Sequence, residues 1–89
     1  MKPPRQLERI VKGFSNHRRI EIMVLLEHSP ELPLIEITES LRVNFRTASE
    51  HLRRLTIAGL IMKRNEGNFV RHALTPLGKS ILKFLRTLE

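Results

Sequence analysis

The chain has 89 residues and a formal charge of +7, with 16 Lys and Arg against nine acidic residues. A chain of this length forms one domain, residues 1–89, and buries a smaller share of its surface than a larger domain does, so a partner subunit would add stability. It has no Cys, which excludes a disulfide framework, thiolate metal ligands and a cysteine nucleophile. We find no signal peptide or membrane span and expect a cytoplasmic protein. The basic charge favours nucleic acid, although an anionic membrane or an acidic protein would also fit.

Two helices are predicted in the first third of the chain. Residues 5–14 repeat apolar side chains at helical spacing. Residues 16–28 form the second helix, which either Ser15 or Asn16 can cap. Val24 is among the apolar residues of this helix that we expect to face the core.

Two further helices follow a break. The break spans residues 29–33, where two prolines remove backbone donors and disfavour helix before them. Residues 34–41 then form a short helix, and Asn44 caps a longer one over residues 45–58. Gly59 supplies a left-handed stop. Two helices joined by about three residues predict a helix-turn-helix.

The rest of the chain predicts a hairpin and a final helix. Residues 60–74 have a strand-like pattern around Gly67, which can adopt positive φ. Thr75 caps a last helix over residues 76–88. The predicted fold class is therefore mainly α with a small β-hairpin wing (α+β), a winged helix-turn-helix domain.

The last helix has more apolar residues than one stripe requires, which favours a partner helix. Packing of the whole helix on its own domain is the alternative. The residues predicted to form a dimer interface are Leu7, Ile10, Val11, Ile81, Phe84, Leu85 and Leu88.

The helix over residues 45–58 has one apolar and one polar face. At about 100° per residue, Leu52 and Leu55 lie within roughly 40° of Ala48, and the charged residues lie opposite. Such a row of donors suits a DNA major groove, although many surface helices expose Arg and Glu. From this helix, the predicted DNA contacts are Arg46, Thr47, Ser49, Glu50, Arg53 and Arg54. From the hairpin and the second helix, they are Lys63, Arg64, Asn65, Asn68, Arg71, Arg18 and Arg19, of which Arg19 could equally be structural.

The sequence offers no pattern for a metal site or for catalysis. The four His are scattered without the spacing of a zinc site, and no Gly-rich phosphate loop is present. We expect His51 to make a structural hydrogen bond or to contact a phosphate. No metal, cofactor or enzymatic activity is predicted.

Three segments match a known family in order: residues 14–23 (FSNHRRIEIM), residues 37–41 (ITESL) and residues 47–61, which contain TASEHLRRL and AGLI. Through them, the stretch from Lys12 to Leu74 resembles the ArsR-type winged helix repressors of bacteria and archaea. The start of the last helix, TPLGK, resembles MarR-like winged helices.

The resemblance implies a homodimer on a partly palindromic operator. It places Thr47, Ser49 and Arg53 towards DNA and the wing on the flanking backbone. This chain lacks the paired Cys of many metal-sensing members and the acid and His ligands of others, and it has His72 where the family often has Tyr.

The predicted function is that of a homodimeric, sequence-specific regulator of transcription, a repressor, which binds double-stranded DNA. One alternative is a protein-interaction module that uses the last helix and the acidic segment 27–39. The other alternative is a nonspecific DNA-binding protein.

Overall fold

The computed structural model describes all 89 residues and contains five helices and one three-stranded antiparallel sheet. The mainly α fold with a β-hairpin, predicted above, is confirmed. In chain order, the elements are α1 (Pro4–Phe14), α2 (His17–His28), β1 (Leu32–Pro33), α3 (Leu34–Leu41), α4 (Phe45–Ile57), β2 (Ile61–Glu66), β3 (Phe69–Leu74) and α5 (Pro76–Arg86).

Side-chain caps fix where three of the helices begin. Asn16, not Ser15, caps α2, since its Oδ1 accepts hydrogen bonds from the backbone N–H groups of Arg18 and Arg19. Asn44 caps α4 in the same way, and Thr75 caps α5. Each cap satisfies backbone donors that have no partner inside the first turn of a helix.

The end of α4 positions the hairpin that follows. Gly59 adopts a φ of 78°, and its N–H donates to the carbonyl of Thr56. The N–H of Leu60 donates to the carbonyl of Leu55. These two bonds form a Schellman motif, so the helix ends at Ile57 and the chain turns directly into β2.

Predicted and observed boundaries differ by one residue at the starts of α1, α2 and the hairpin and at the end of α4, and by two residues at two further places. The last helix ends at Arg86 rather than residue 88, because Thr87 and Leu88 donate to carbonyls only three residues back. The strand β2 runs on to Glu66, so that the hairpin turn consists of Gly67 and one further residue.

The predicted break before α3 also contains a short strand. Leu32 pairs with His72 and Pro33 with Arg71, which makes β1 an outer strand beside β3. Pro lacks an N–H donor and is tolerated on an outer strand, where its nitrogen needs no partner.

The core lies where α2 meets α3, α4, α5 and the sheet. Ile22 and Met23 are fully buried in α2, whereas Val24 is 36% exposed, so the expectation that Val24 faces the core was wrong. Val24 is about 200° around the helix from Ile22 and therefore points away from the core. The buried apolar cluster consists of Phe14, Ile22, Met23, Leu26, Ile37, Leu52, Leu55, Leu60, Ile61, Leu74 and Leu82. None of the helices is both long and apolar enough to cross a membrane.

Candidate nucleic-acid interface

The two faces of α4 are clearly divided in the structure. Ala48, Leu52 and Leu55 are buried against the core. On the other side, the first turn exposes Arg46 and Thr47. Ser49, Glu50, Arg53 and Arg54 are also exposed. The helix therefore presents a row of polar side chains to solvent, all of them donors except Glu50, while its opposite face packs against the core.

The turn before α4 sets its direction relative to α3. Arg42 adopts the left-handed conformation with a φ of 53°, and its N–H donates to the carbonyl of Thr38. The N–H of Val43 donates to the same carbonyl. Asn44 then begins α4, so α3 and α4 form a helix-turn-helix in which α4 is the second helix.

Two arginines on the exposed face of α4 share one carboxylate. Glu50 forms ion pairs with Arg53 at 2.9 Å and with Arg54 at 3.0 Å. Hydrogen bonds from Arg53, and then from Arg54, lower the pKa of Glu50 to about 2. The same pairing raises the pKa of Arg53 above its ordinary value. Glu50 and Arg53 therefore both remain charged at neutral pH.

Arg19 links three helices. Its Nη1 donates to the carbonyls of Lys12, at 3.0 Å, and Gly13, at 3.3 Å, near the end of α1. Its Nε donates to Nδ1 of His51 in α4, at 3.2 Å. The structural hydrogen bond expected for His51 is thus present, and of the two roles considered for Arg19 the structural one is favoured.

His51 accepts this bond only while Nδ1 is unprotonated. Burial, and then the charge of Arg19, lower the pKa of His51. The charge of Glu50 raises this pKa, whereas the charges of His17 and Arg18 lower it further. Neutral His51 is therefore the form that fits this site.

The hairpin arginines are held by acidic residues. Arg64 and Arg71 face each other across β2 and β3, an arrangement that is unfavourable for like charges. Glu66 pairs with Arg64 at 2.8 Å and with Arg71 at 3.8 Å, and Glu31 pairs with Arg64. The backbone carbonyl of Glu31 also accepts from Arg71, at 3.1 Å. These contacts tie the hairpin to the segment between α2 and β1.

The eight cations predicted to contact DNA therefore fall into three groups. Arg19 binds backbone carbonyls and His51. Five arginines form ion pairs with Glu, namely Arg18 with Glu21 and the four already described, Arg53, Arg54, Arg64 and Arg71. Only Arg46 and Lys63 are exposed without an ion pair. In the hairpin, Asn65 and Asn68 are also exposed.

Sequence reasoning missed the contribution of Glu31. It lies in the predicted break, adopts a φ of 65° and contacts Arg64 and Arg71 of the hairpin, which are 33 and 40 positions away along the chain. The Ser-Pro-Glu sequence indicates a turn but contains no signal for this pairing.

His72 is buried in β3 and is 4% exposed. Its Nδ1–H donates to the carbonyl of Leu32 at 3.1 Å, across the β1–β3 pair. Burial lowers the pKa of His72, and the nearby charge of Lys63 adds to this effect. The neutral ring therefore helps to hold β1 on the sheet.

The predicted dimer residues divide between the core and the surface. Ile10, Ile81 and Leu85 pack partly against the core of their own chain, and Leu7 is half-buried. The exposed ones are Val11 at 51%, Phe84 at 53% and Leu88 at 68%. They leave an apolar surface on α1 and at the end of α5.

The helix-turn-helix of α3 and α4, the exposed donors of α4 and the β-hairpin that follows it define a winged helix-turn-helix DNA-binding domain. The chain belongs to the arsR family of bacterial regulatory proteins, since the model of that family matches residues 16–63. It is therefore a member of a family of transcriptional regulators.

Known proteins resemble this chain over most of its length. It is similar to HlyU from Vibrio cholerae, at 27% identity and a TM-score of 0.80, with 93% of this chain and 90% of the other covered. A fragment of a possible ArsR-family regulator from Mycobacterium bovis matches at 29% identity and a TM-score of 0.80, over 93% and 76% of the two chains. That fragment is described as a homodimeric winged helix-turn-helix DNA-binding domain.

A homologue of the cadmium resistance regulatory protein CadC from Staphylococcus aureus is 30% identical over 71 residues. The match covers 80% of this chain but only 59% of the relative. In the present chain Cys is absent, and no three His, Asp or Glu side chains lie close together.

Proposed function

We propose that this protein acts as a homodimer that represses transcription by binding a partly palindromic operator. Each protomer inserts the first turns of α4 into a major groove, and the two helices enter successive grooves about 34 Å apart. The observation that carries the proposal is the exposed donor row of α4, which is backed by buried Ala48, Leu52 and Leu55.

Reading of bases is assigned to the exposed face of α4. Arg46 and Thr47 lie in its first turn and carry no ion pair, so their donors are free to reach base edges. Ser49 and Arg53 follow on the same exposed surface. The start of a helix also favours phosphate through its unpaired N–H groups and its dipole.

Backbone contacts are assigned to the hairpin. Lys63 in the middle of β2, Asn65 near its end and Asn68 in the turn are exposed and can bind phosphate or sugar oxygens. Arg64 and Arg71 hold the hairpin through Glu31 and Glu66, so their first contribution is to its position.

The dimer is assigned to α1 and α5. A domain of this size gains stability by covering exposed Val11, Phe84 and Leu88. The M. bovis relative, described as homodimeric, supports the same arrangement here. Two copies of α4 related by a two-fold axis require an operator with matching symmetry.

Selection of binding sequences from a random duplex pool tests this function. We expect enrichment of an inverted repeat whose half-site centres are about 10 base pairs apart, one turn of DNA. A sedimentation measurement should find two protomers on each selected duplex. A pool that stays random after several rounds, although the protein retains DNA, would leave a nonspecific DNA-binding protein as the better description.

A further inference from the structure

The carboxylate of Glu50 is held by three hydrogen bonds from two arginines. Its Oε2 accepts from Nε of Arg53 at 3.0 Å, and its Oε1 accepts from Nη2 of Arg53 at 2.9 Å. Oε1 also accepts from Nε of Arg54 at 3.0 Å. Since residues three and four positions apart are neighbours on a helix, α4 itself brings these groups together.

The bonds to Glu50 occupy one particular edge of Arg53. A guanidinium group has two edges with paired donors, Nε with Nη2 and Nη1 with Nη2. The first edge holds the carboxylate, whereas Nη1 has no partner in the structure. The second edge therefore remains available, and paired donors of this kind match the O6 and N7 atoms of guanine.

A phosphate would compete with Glu50 for the same edge. Carboxylate and phosphate both accept two parallel hydrogen bonds from arginine. An arginine that exchanges Glu50 for a phosphate loses one anion and gains another. Contact with the backbone of arbitrary DNA therefore adds little net binding free energy. A base contact through the free edge requires no such exchange, and the two bonds to Glu50 fix the direction in which that edge points along the exposed face of α4.

We propose that Glu50 is a specificity-determining residue that withholds the Nε donors of Arg53 and Arg54 from phosphates and aims the free edge of Arg53 at a base. This role rests on the proposed function, because it concerns how α4 distinguishes one duplex from another. Glu50 acts through the two arginines and is in that sense a positioning residue.

The test compares wild-type protein with Glu50→Gln on the duplex selected by the wild type and on a random duplex, at several salt concentrations. Gln removes the charge but keeps the size of the side chain. We expect affinity for the random duplex to rise about 10-fold at low salt, and its log–log salt slope to steepen by roughly 1 to 2, as one or two arginines become free to bind phosphate. The preference for the selected duplex should fall about 10-fold.

Glu27→Gln is the matched control. It removes the same charge and frees Arg86, but on α2 and α5 rather than on α4. Glu50→Ala should reproduce the effects of Glu50→Gln, and thermal melts should show all variants folded.

The outcomes separate the two claims. An unchanged salt slope and an unchanged preference in both Glu50 variants would overturn the role of Glu50, as would an equal effect of Glu27→Gln. Failure of the proposed function would be seen instead in the wild type, as equal affinity for the selected and random duplexes.

Discussion

Arg19 illustrates how one side chain can position the interface through contacts within the protein. It joins the end of α1 to α4 through the carbonyls of Lys12 and Gly13 and through His51. A cation near the last carbonyls of α1 also interacts favourably with the dipole of that helix. The position of α4 relative to α1 therefore depends on this guanidinium.

Replacement of Arg19 by Ala should lower the free energy of unfolding by about 1 to 2 kcal/mol, the value for charged hydrogen bonds that are partly exposed to solvent. Urea unfolding followed by circular dichroism measures this loss. The control is Arg18→Ala, which removes an exposed pair with Glu21 and should cost less than about 0.5 kcal/mol. Equal losses in the two variants would show that the link to α1 and α4 contributes nothing to stability.

At the scale of elements, the start of α5 is fitted closely to the end of α4. Oγ1 of Thr75 donates to the carbonyl of Gly59 at 2.6 Å, and the N–H of Thr75 donates to the carbonyl of Leu60 at 3.1 Å. A Cβ atom at Gly78 would collide with that same carbonyl of Leu60. This junction holds α5 against the turn that leads from α4 into the hairpin.

The variant Gly78→Ala should therefore destabilise the protein, although Ala favours helix by about 1 kcal/mol over Gly. Collision with backbone leads us to expect a net loss of about 1 to 3 kcal/mol. Ser80→Ala, on an exposed position of the same helix, should change stability by less than about 0.5 kcal/mol. If thermal melting showed Gly78→Ala to be more stable than wild type, the close packing at this junction would be wrong.

The elements that sequence could predict are those fixed by local chemistry. Asn44, Gly59 and Thr75 cap or end helices through bonds within a few residues, so their roles are visible in the sequence. The helical spacing of apolar residues likewise predicts that Ala48 and Leu52 lie on the buried face of α4.

Contacts between distant segments could not be predicted in this way. Glu31 pairs with Arg64 because β1 lies beside β3, and no local pattern encodes that neighbourhood. The role of Arg19 could not be predicted either. Only the way in which α1, α2 and α4 cross distinguishes its hydrogen bonds within the protein from an exposed phosphate contact. The ion pairs that occupy five of the predicted DNA contacts also became visible only in the structure.

For the whole molecule, stability should fall as the pH drops. Burial lowers the pKa of His72 and of His51, so the unfolded chain binds protons more readily than the folded one as the pH falls through about 6.5. Their contribution is complete above that pH and is lost below it. Urea unfolding at pH 7.5 and at pH 5.5 should therefore show lower stability at the acidic value.

A variant assigns this pH effect to its source. His72→Gln retains an N–H that can donate to Leu32 but cannot titrate, and it should reduce the difference between the two pH values. His28→Gln, at an exposed position, serves as the control and should leave the difference unchanged. An equal reduction in both variants would argue against buried His72 as the cause.

The apolar surface of α1 and α5 should determine whether the molecule is a dimer. Phe84→Glu places a charge on this surface and should convert the dimer to a monomer in sedimentation, with weaker binding to DNA because two half-sites are no longer held together. Ile35→Glu, at an exposed position of α3, is the control and should leave the dimer intact. A dimer that persists in Phe84→Glu would place the interface elsewhere.

The central claim is that α4 reads a specific duplex. The most direct test is a fluorescence-anisotropy titration of the duplex selected from a random pool, and of a scrambled copy, with wild type and Arg53→Ala at several salt concentrations. We expect the wild type to prefer the selected duplex by at least about 1,000-fold, with log affinity falling linearly against log salt. Arg53→Ala should weaken that binding roughly 10- to 100-fold and affect the scrambled copy less. Lys2→Ala is the control and should change the affinity for the two duplexes equally. Equal affinity of the wild type for both duplexes, or no binding to either at low salt, would contradict the claim.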